Sequence, residues 1–226
     1  RFALAGHDRG ARVGYRLALD HPGRLSKLAL LDIIPTATMW ERMDASRAMQ
    51  VYHWTFLAQP KPVPENLIKA DPVGWLDRTI ASWSRAKTLD LFDPLAMQSY
   101  AESFSDPSRS HASCEDYRAG ATSDIEDDKA DLAAGSRIEC PLLVTWEQGT
   151  YLSGPDPIAI WRRWATHVEG APIDAGHLQA EVDAGDLAQR PTGGTGVDGG
   201  HQLQIRIVGH GPTDRGPHPP RCSEHA

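Results

Sequence analysis

The segment AGHDRGARVGYRLALDHPGRLSKLALLDIIPT, residues 5–36, joins a polar turn to an amphipathic stretch and then to a continuous apolar run. Residues 2–5 are apolar and predict the end of a strand, which the glycine-flanked turn at residues 6–10 breaks sharply. A helix is predicted next, because Val13 and later apolar residues recur at helical spacing until HPG stops them. The run LALLDII, residues 28–34, is typical of a strand buried on both faces of a parallel sheet. This order of strand, turn, helix and strand predicts an α/β fold.

The character of the chain changes after this segment and changes back about a hundred residues later. The intervening stretch is rich in Trp, Met and Arg at helix-like spacing, which predicts a helical insertion. PLLVTW, residues 141–146, returns to the pattern of a buried strand. The last part is dominated by Gly, Pro, Arg and His, and its few apolar side chains cannot offset the entropy of ordering it. We therefore predict a core at 1–36, a helical cap at 37–136, a resumed core at 137–189 and a disordered or aberrant tail at 190–226.

Composition excludes several classes of protein. The net charge of the 226 residues is -7 and the basic residues are scattered, so no nucleic-acid partner is expected. No apolar run approaches the roughly 20 residues of a membrane span, and the first residues lack the pattern of a signal peptide. We therefore expect a cytoplasmic protein with no membrane partner. Cys114, Cys140 and Cys222 are widely spaced and form no CxxC pair, so they indicate neither a disulfide framework nor a zinc site.

The polar turn places a carboxylate, Asp8, between two glycines at the junction of strand and helix. A small-x-acid-x-small turn is the geometry of a nucleophile elbow, in which the central side chain stands clear of the backbone. The N-terminus of the following helix favours negative charge there and offers free N–H groups to an oxyanion. Asp8 is therefore a candidate nucleophile. Its alternative role is an N-cap of the helix, since Asp is a preferred capping residue.

Two further residues complete the order nucleophile, acid, histidine that α/β-hydrolases use: Asp32 after the second strand and His177 late in the chain. An acid at the end of an apolar strand is costly to desolvate unless it is paired, and His177 is a natural partner for Asp32. The alternatives are a hydrogen bond from Asp32 to loop backbone, and an ordinary loop histidine at position 177.

Taken together, five motifs carry a resemblance to a known family. They are GHDRGARVGYRLALDHP at 6–22, LALLDIIPT at 28–36, HW at 53–54, CEDYRAGAT at 114–122 and AGHLQAE at 175–181. In this order they resemble the haloacetate dehalogenases of the α/β-hydrolase superfamily, particularly the fluoroacetate dehalogenases, and the resemblance covers residues 1–188. It implies a mostly parallel α/β-hydrolase core, incomplete at its N-terminal side, with a helical cap insertion.

For the reaction, the resemblance implies that Asp8 attacks the halogen-bearing carbon, displaces halide and leaves an ester. His177, held by Asp32, then acts as general base for a water that attacks the ester carbonyl. The implied partner is a small haloacetate, and neither a metal nor an organic cofactor is needed. The resemblance also suggests a homodimer.

Substrate binding is expected to use positive charge, since an anionic substrate is repelled by an anionic nucleophile. Arg9 and Arg12 follow Asp8 at a spacing that turns both towards one mouth, where planar guanidinium groups can bind a carboxylate. A solvated surface position is the alternative for Arg12. By resemblance, the halide is bound by three hydrogen-bond donors from the cap, which are His53, Trp54 and Tyr117. For the last two, packing in the core of the cap is the alternative.

Two other functions stay open from the sequence. An epoxide hydrolase shares the elbow, but it is expected to carry Trp at position 9 and a pair of cap tyrosines, whereas this chain has Arg9. An inactive fragment is the second alternative, because the family has several strands before the elbow and one of their loops supplies a donor of the oxyanion hole. Here a single predicted strand precedes the elbow, so the first third of the enzyme is expected to be absent, which would expose a sheet edge.

Overall fold

A computed structural model of the chain describes residues 1–149 and 156–182, and the predicted tail lies outside these residues. The described strands form a parallel sheet in the order β1-β2-β3-β4. Their bounds are Phe2–His7 (β1), Leu25–Leu31 (β2), Leu142–Glu147 (β3) and Val168–Ile173 (β4). Because the strands run in one direction, their carboxyl ends meet at the same edge of the sheet, where ligands bind in open α/β sheets.

The order β1, α1 and β2 confirms the predicted strand, turn, helix and strand, although the ends of these elements differ from the predicted ones. Helix α1, Asp8–Asp20, packs its Ala11, Tyr15 and Ala18 against the sheet. Val13, predicted for the apolar face, is instead 65% exposed. Strand β2 ends three residues before the predicted end of the apolar run, because the chain leaves the strand conformation at Asp32, where φ is 55°.

Helices alone occupy the chain between β2 and β3. Several begin with an Asp at the N-cap and a Pro in the first turn, which satisfies free backbone N–H groups and presets the helical φ. Their bounds are Thr36–Glu41 (α2), Ala45–Gln50 (α3), Tyr52–Leu57 (α4), Val63–Ala70 (α5), Pro72–Trp83 (α6), Pro94–Phe104 (α7), Pro107–Gly120 (α8) and Ser123–Ala134 (α9). The short helices Pro157–Trp161 (α10) and Gln179–Val182 (α11) follow β3 and β4.

The apolar core has two main parts. One packs against the face of the sheet that carries α1 and includes Leu28, Val144, Trp161 and Trp164. The other lies among the helices of the insertion and includes Trp54 and Tyr117, together with Met39, Leu57, Ile68 and Cys114. None of the helices in the described part of the chain is both long and apolar enough to cross a membrane.

Candidate active site

The turn at Asp8 has the strained geometry expected of a nucleophile elbow. Asp8 begins α1 at a φ of 46°, in the left-handed region that side chains other than glycine rarely adopt. Gly6 is required there, because a Cβ on it would lie 2.7 Å from the Gly10 carbonyl oxygen and 2.8 Å from Ala11. Gly10 has open space instead, so the bend does not depend on it. The N-cap position belongs to His7 and not to Asp8, which leaves the carboxylate of Asp8 without a capping role.

Asp8, Asp32 and His177 meet at the carboxyl edge of the sheet. Asp32 Oδ2 lies 2.5 Å from His177 Nδ1, and Asp32 Oδ1 accepts a hydrogen bond of 2.9 Å from the backbone N–H of Glu147. Both partners expected for Asp32, the histidine and loop backbone, are therefore present at once. His177 Nε2 lies 3.7 Å from Asp8 Oδ2. The imidazole thus stands between the two carboxylates, one on each ring nitrogen.

Burial and neighbouring charges determine the protonation states of Asp8 and His177. Burial alone would raise the pKa of Asp8, but the positive charge of His177, whose Nε2 lies 3.7 Å from the carboxylate, holds that pKa well below its usual range. Burial would likewise lower the pKa of His177, yet its hydrogen bond to Asp32 and the negative charges of Asp32 and Asp8 raise that pKa to about 10. At neutral pH, Asp8 is therefore an ionised carboxylate facing an imidazolium.

This pairing predicts a pH-dependent stability. The folded-state pKa of His177 is raised above its ordinary value of 6.5, so the stability it contributes is fully present below pH 6.5 and lost as pH rises towards about 10. Between these limits we expect the wild-type free energy of unfolding to fall by several kcal/mol more than that of His177→Gln, since each unit of pKa shift corresponds to about 1.4 kcal/mol. Urea denaturation of both proteins across this range measures the difference. Parallel pH profiles would contradict it.

Arg12 is buried beside the site and is not a surface residue. Its Nη1 donates to the Ile34 carbonyl at 3.1 Å and to Thr36 Oγ1 at 3.0 Å, and the guanidinium lies 4.5 Å from the centre of the Trp54 ring. Arg12 Nε is buried and has no hydrogen-bond partner among the described residues. A buried donor without a partner is unfavourable unless a ligand or water satisfies it, so this group is suited to bind an anion.

Arg9 is held differently from Arg12. Its Nε forms an ion pair with Asp116, its Nη2 donates to the Asp116 carbonyl at 2.9 Å, and the group lies 4.7 Å from the centre of the Tyr117 ring. Its Nη1 is buried without a partner among the described residues. The two arginines therefore both offer an unused donor, although Arg9 does not line the cavity that Arg12 lines.

The three predicted halide donors form one aromatic cluster. The ring of Tyr117 lies 5.7 Å from that of His53 and 6.0 Å from that of Trp54. His53 is buried and its Nδ1 has no partner in the described ranges. Burial lowers the pKa of His53 to about 4, so the imidazole is neutral and keeps one N–H to donate. Trp54 and Tyr117 also belong to the core of the helical insertion, which was their alternative role.

A cavity of about 420 Å³ joins these groups at the carboxyl edge of the sheet. This volume suits a small molecule. Its lining includes the predicted residues Asp8, Arg12, Asp32, His53, Trp54 and His177, and also Gln50, Val51, Ser82, Trp83, Lys87, Glu147 and Gly149. Tyr117 contacts the cluster but does not line the cavity.

Sequence reasoning missed two contacts that hold His177 in place in addition to Asp32. His7 Nε2 lies 2.8 Å from the His177 carbonyl, which only accepts, so this nitrogen carries the proton and donates. The backbone N–H of His177 donates to the Trp83 carbonyl at 3.2 Å. Gly176 permits the backbone at His177 to lie this close to residues 83–85, because a Cβ at position 176 would lie 2.6 Å from the backbone nitrogen of Arg85. The available signals were the position of His7 directly before Asp8 and the glycine before His177.

One group outside the cavity has the composition of a metal site. Glu65, His111 and Glu115 place candidate ligand atoms within 4.8 Å of one another. However, Arg118 donates to both carboxylates, at 2.8 Å and 2.5 Å, and supplies the positive charge that a cation would bring. We therefore assign no metal to this group.

Comparison with known proteins extends these observations. No family model matches the sequence. A curated relative, the fluoroacetate dehalogenase of a Burkholderia species, is 40% identical over 190 residues, which are 84% of this chain. The chain spans 62% of the length of that relative.

Solved structures give the same architecture. A Pseudomonas aeruginosa protein assigned as an epoxide hydrolase, in a single-substitution variant with MFA bound, matches with a TM-score of 0.78 and 46% identity over 81% of this chain and 61% of that one. A protein from a Nostoc species, assigned as an α/β-hydrolase, matches with a TM-score of 0.77 and 43% identity over 81% and 62%. These neighbours confirm the predicted fold class.

Proposed function

We propose that this α/β-hydrolase is a dehalogenase that converts haloacetates to glycolate and halide through an ester on Asp8. One observation carries the proposal: an ionised carboxylate at a strained elbow shares a small cavity with the buried guanidinium of Arg12, which has a donor to spare. A site that combines a nucleophilic anion with a positive charge for a second anion suits a substrate carrying its own carboxylate. The similarity to a fluoroacetate dehalogenase supports the same substrate class.

In the first step, an oxygen of Asp8 attacks the carbon that carries the halogen. The new C–O bond forms as the carbon–halogen bond breaks, and the electron pair of that bond leaves with the halide. The neutral imidazole of His53, with Trp54, would donate hydrogen bonds to the developing halide, while Tyr117 packs against both rings without lining the cavity. Arg12 would hold the substrate carboxylate, and Arg9 would add positive charge behind Tyr117.

The second step opens the ester with water. Esterification removes the negative charge of Asp8, which is one of the two carboxylates that raise the pKa of His177. The pKa of His177 therefore falls, and His177 releases its proton to solvent. The neutral imidazole can then accept a proton from the attacking water. Water adds to the ester carbonyl of Asp8, and the bond from that carbon to the bridging oxygen breaks. This oxygen, which came from Asp8, leaves as the hydroxyl of glycolate with the proton from His177. The remaining proton of the water passes from the regenerated acid to His177, which restores the ion pair with Asp8. Asp32 keeps the ring oriented through Nδ1.

The helical insertion is proposed to act as the cap of this site. Residues 37–136 contribute His53, Trp54 and Trp83 to the cavity, while the nucleophile and the base come from the sheet side. The cap therefore supplies the groups that would meet the leaving halide and exclude water from the first step.

An epoxide hydrolase is the second candidate, because solved neighbours at 46% identity are assigned to that activity. It would use the same Asp8 ester and the same base. A neutral epoxide, however, gives no use to the spare buried donor of Arg12, which lines the cavity, and this favours the haloacetate.

Two assays on the purified chain test the proposal. One measures halide release from fluoroacetate and chloroacetate, and the other measures ring opening of a neutral epoxide. We expect halide release and no diol. Diol formation without halide release would assign the epoxide activity instead. The absence of both products from a folded preparation would contradict both activities.

Arg12→Ala separates substrate binding from chemistry. We expect KM for chloroacetate to rise about 100-fold, because a buried charge-assisted contact to the carboxylate is worth about 1.5–3 kcal/mol. Arg16→Ala, one turn along the same helix, is the matched control, since Arg16 pairs with Asp20 and Asp131 and does not line the cavity. Equal KM values for the wild type and Arg12→Ala would contradict carboxylate binding by Arg12.

A further inference from the structure

An acid of the helical insertion is buried without lining the cavity. Asp128, in α9, is 1% exposed. Its Oδ2 accepts the backbone N–H of Ala37 at 2.8 Å, and its two oxygens lie 3.1 Å and 3.2 Å from the hydroxyl of Tyr15. A fully buried carboxylate is unfavourable unless each of its oxygens is satisfied, and here both are. Asp128 thus joins the insertion to helix α1 of the core.

The hydrogen bonds continue from Tyr15 to Arg12. Tyr15 OH lies 2.9 Å from Thr36 Oγ1, and Arg12 Nη1 donates to the same Thr36 oxygen at 3.0 Å. A tyrosine has a single hydroxyl proton, and the carboxylate of Asp128 is its strongest acceptor. Thr36 then donates to Tyr15, and Arg12 donates to Thr36. In this series of hydrogen bonds, each side chain donates towards Asp128 and away from Arg12, so each hydrogen bond polarises the next.

We propose that Asp128 is a positioning residue for Arg12: acting through Tyr15 and Thr36, it fixes the edge of the guanidinium that faces away from the cavity and so leaves the other edge free for the substrate carboxylate. The inference rests on the proposed function in one respect, which is that Arg12 binds the substrate. It adds that the affinity for the substrate depends on an acid of the cap that does not touch it.

Among the described residues, no other charged side chain forms an ion pair with Asp128, although the charge of Arg16 also lowers its pKa. Arg16, the nearest other cation of α1, is bound by Asp20 at 2.7 Å and by Asp131 at 2.6 Å. Burial raises the pKa of Asp128 to about 6, and hydrogen bonds from Ala37 and Tyr15 limit that rise. The hydrogen bonds from Ala37 and Tyr15 therefore help Asp128 to stay ionised. The charge of Asp128 in turn sets the direction in which Tyr15 and Thr36 donate.

The test compares Asp128→Asn, Tyr15→Phe and the control Asp127→Asn. Phe keeps the edge contacts that Tyr15 makes with Trp161 and Trp164, so it removes only the hydroxyl. Asp127 is the exposed neighbour on the same helix. The readouts are the dissociation constant of acetate, a haloacetate without its leaving group, measured by calorimetry, and KM and kcat for chloroacetate.

We expect Asp128→Asn and Tyr15→Phe each to weaken acetate binding and raise KM about 10-fold, with kcat within about 2-fold of the wild type. Asp127→Asn should change none of these values. In an Arg12→Ala background, Tyr15→Phe should have no further effect on KM, because positioning matters only while Arg12 is present. A general loss of packing would act in both backgrounds.

Two results would overturn the inference: unchanged acetate binding in Tyr15→Phe, or the same 10-fold loss with and without Arg12. Tyr15→Phe carries the test alone if Asp128→Asn does not fold. If acetate binding weakens as expected but no variant or wild-type chain releases halide, the positioning role stands and the dehalogenase proposal fails.

Discussion

Replacing Asp8 with asparagine is expected to reduce halide release from chloroacetate by at least about 10⁴-fold. The amide has nearly the shape of the carboxylate, but it lacks the charge and the available electron pair that displace the halide. Asp32 is not free to take over, because it is engaged by His177 and by the backbone of Glu147. Steady-state halide release by the two proteins gives kcat/KM directly.

Asp20→Asn is the matched control for this substitution. Asp20 lies at the other end of α1 and contacts Arg16, so its loss should leave the rate within about 2-fold. Retention by Asp8→Asn of more than about one hundredth of the wild-type rate would exclude Asp8 as the nucleophile.

His177→Gln is expected to separate the two chemical steps. Displacement of the halide uses Asp8, whereas opening of the ester needs the base. We therefore expect a rapid release of one equivalent of halide per chain, followed by turnover about 10³-fold slower than in the wild type. The ester should accumulate on Asp8.

Rapid-quench halide measurement and mass spectrometry of the Asp8 peptide test this expectation. The trapped ester should add the mass of one carboxymethyl group to that peptide. The control is His167→Gln, which replaces an exposed histidine just before β4. Slow halide release without a first rapid phase would show that His177 is needed for the displacement itself, and the proposed order of roles would then be wrong.

The fold was largely predictable because its signal is local. The turn between Gly6 and Gly10 and the apolar run after it predict a strand, a helix and a parallel strand, and the structure has these elements in that order. The convergence of Asp8, Asp32 and His177 follows from the same topology, since residues after parallel strands meet at one edge of the sheet. The end of β2 was placed too late, because an apolar run does not reveal the positive φ at Asp32.

The contacts that separate Arg9 from Arg12 were not predictable from spacing. Arg9 is bound by Asp116, 107 residues later, and the chain of hydrogen bonds at Arg12 ends on Asp128, which lies 113 residues from Tyr15. Such pairs depend on how the helices of the insertion pack on the core. Sequence periodicity predicts which faces of helices are apolar, but it does not predict which acid reaches which base.

The measurement that bears most directly on the ester mechanism is a single turnover of chloroacetate in water labelled with the heavy isotope of oxygen, with chain in excess over substrate. If Asp8 is the nucleophile, the hydroxyl oxygen of glycolate comes from its carboxylate, and water restores that carboxylate. We predict unlabelled glycolate and heavy oxygen in the Asp8 side chain. Heavy oxygen in the glycolate hydroxyl after this first turnover would mean that water attacks the substrate directly, and it would contradict the ester mechanism.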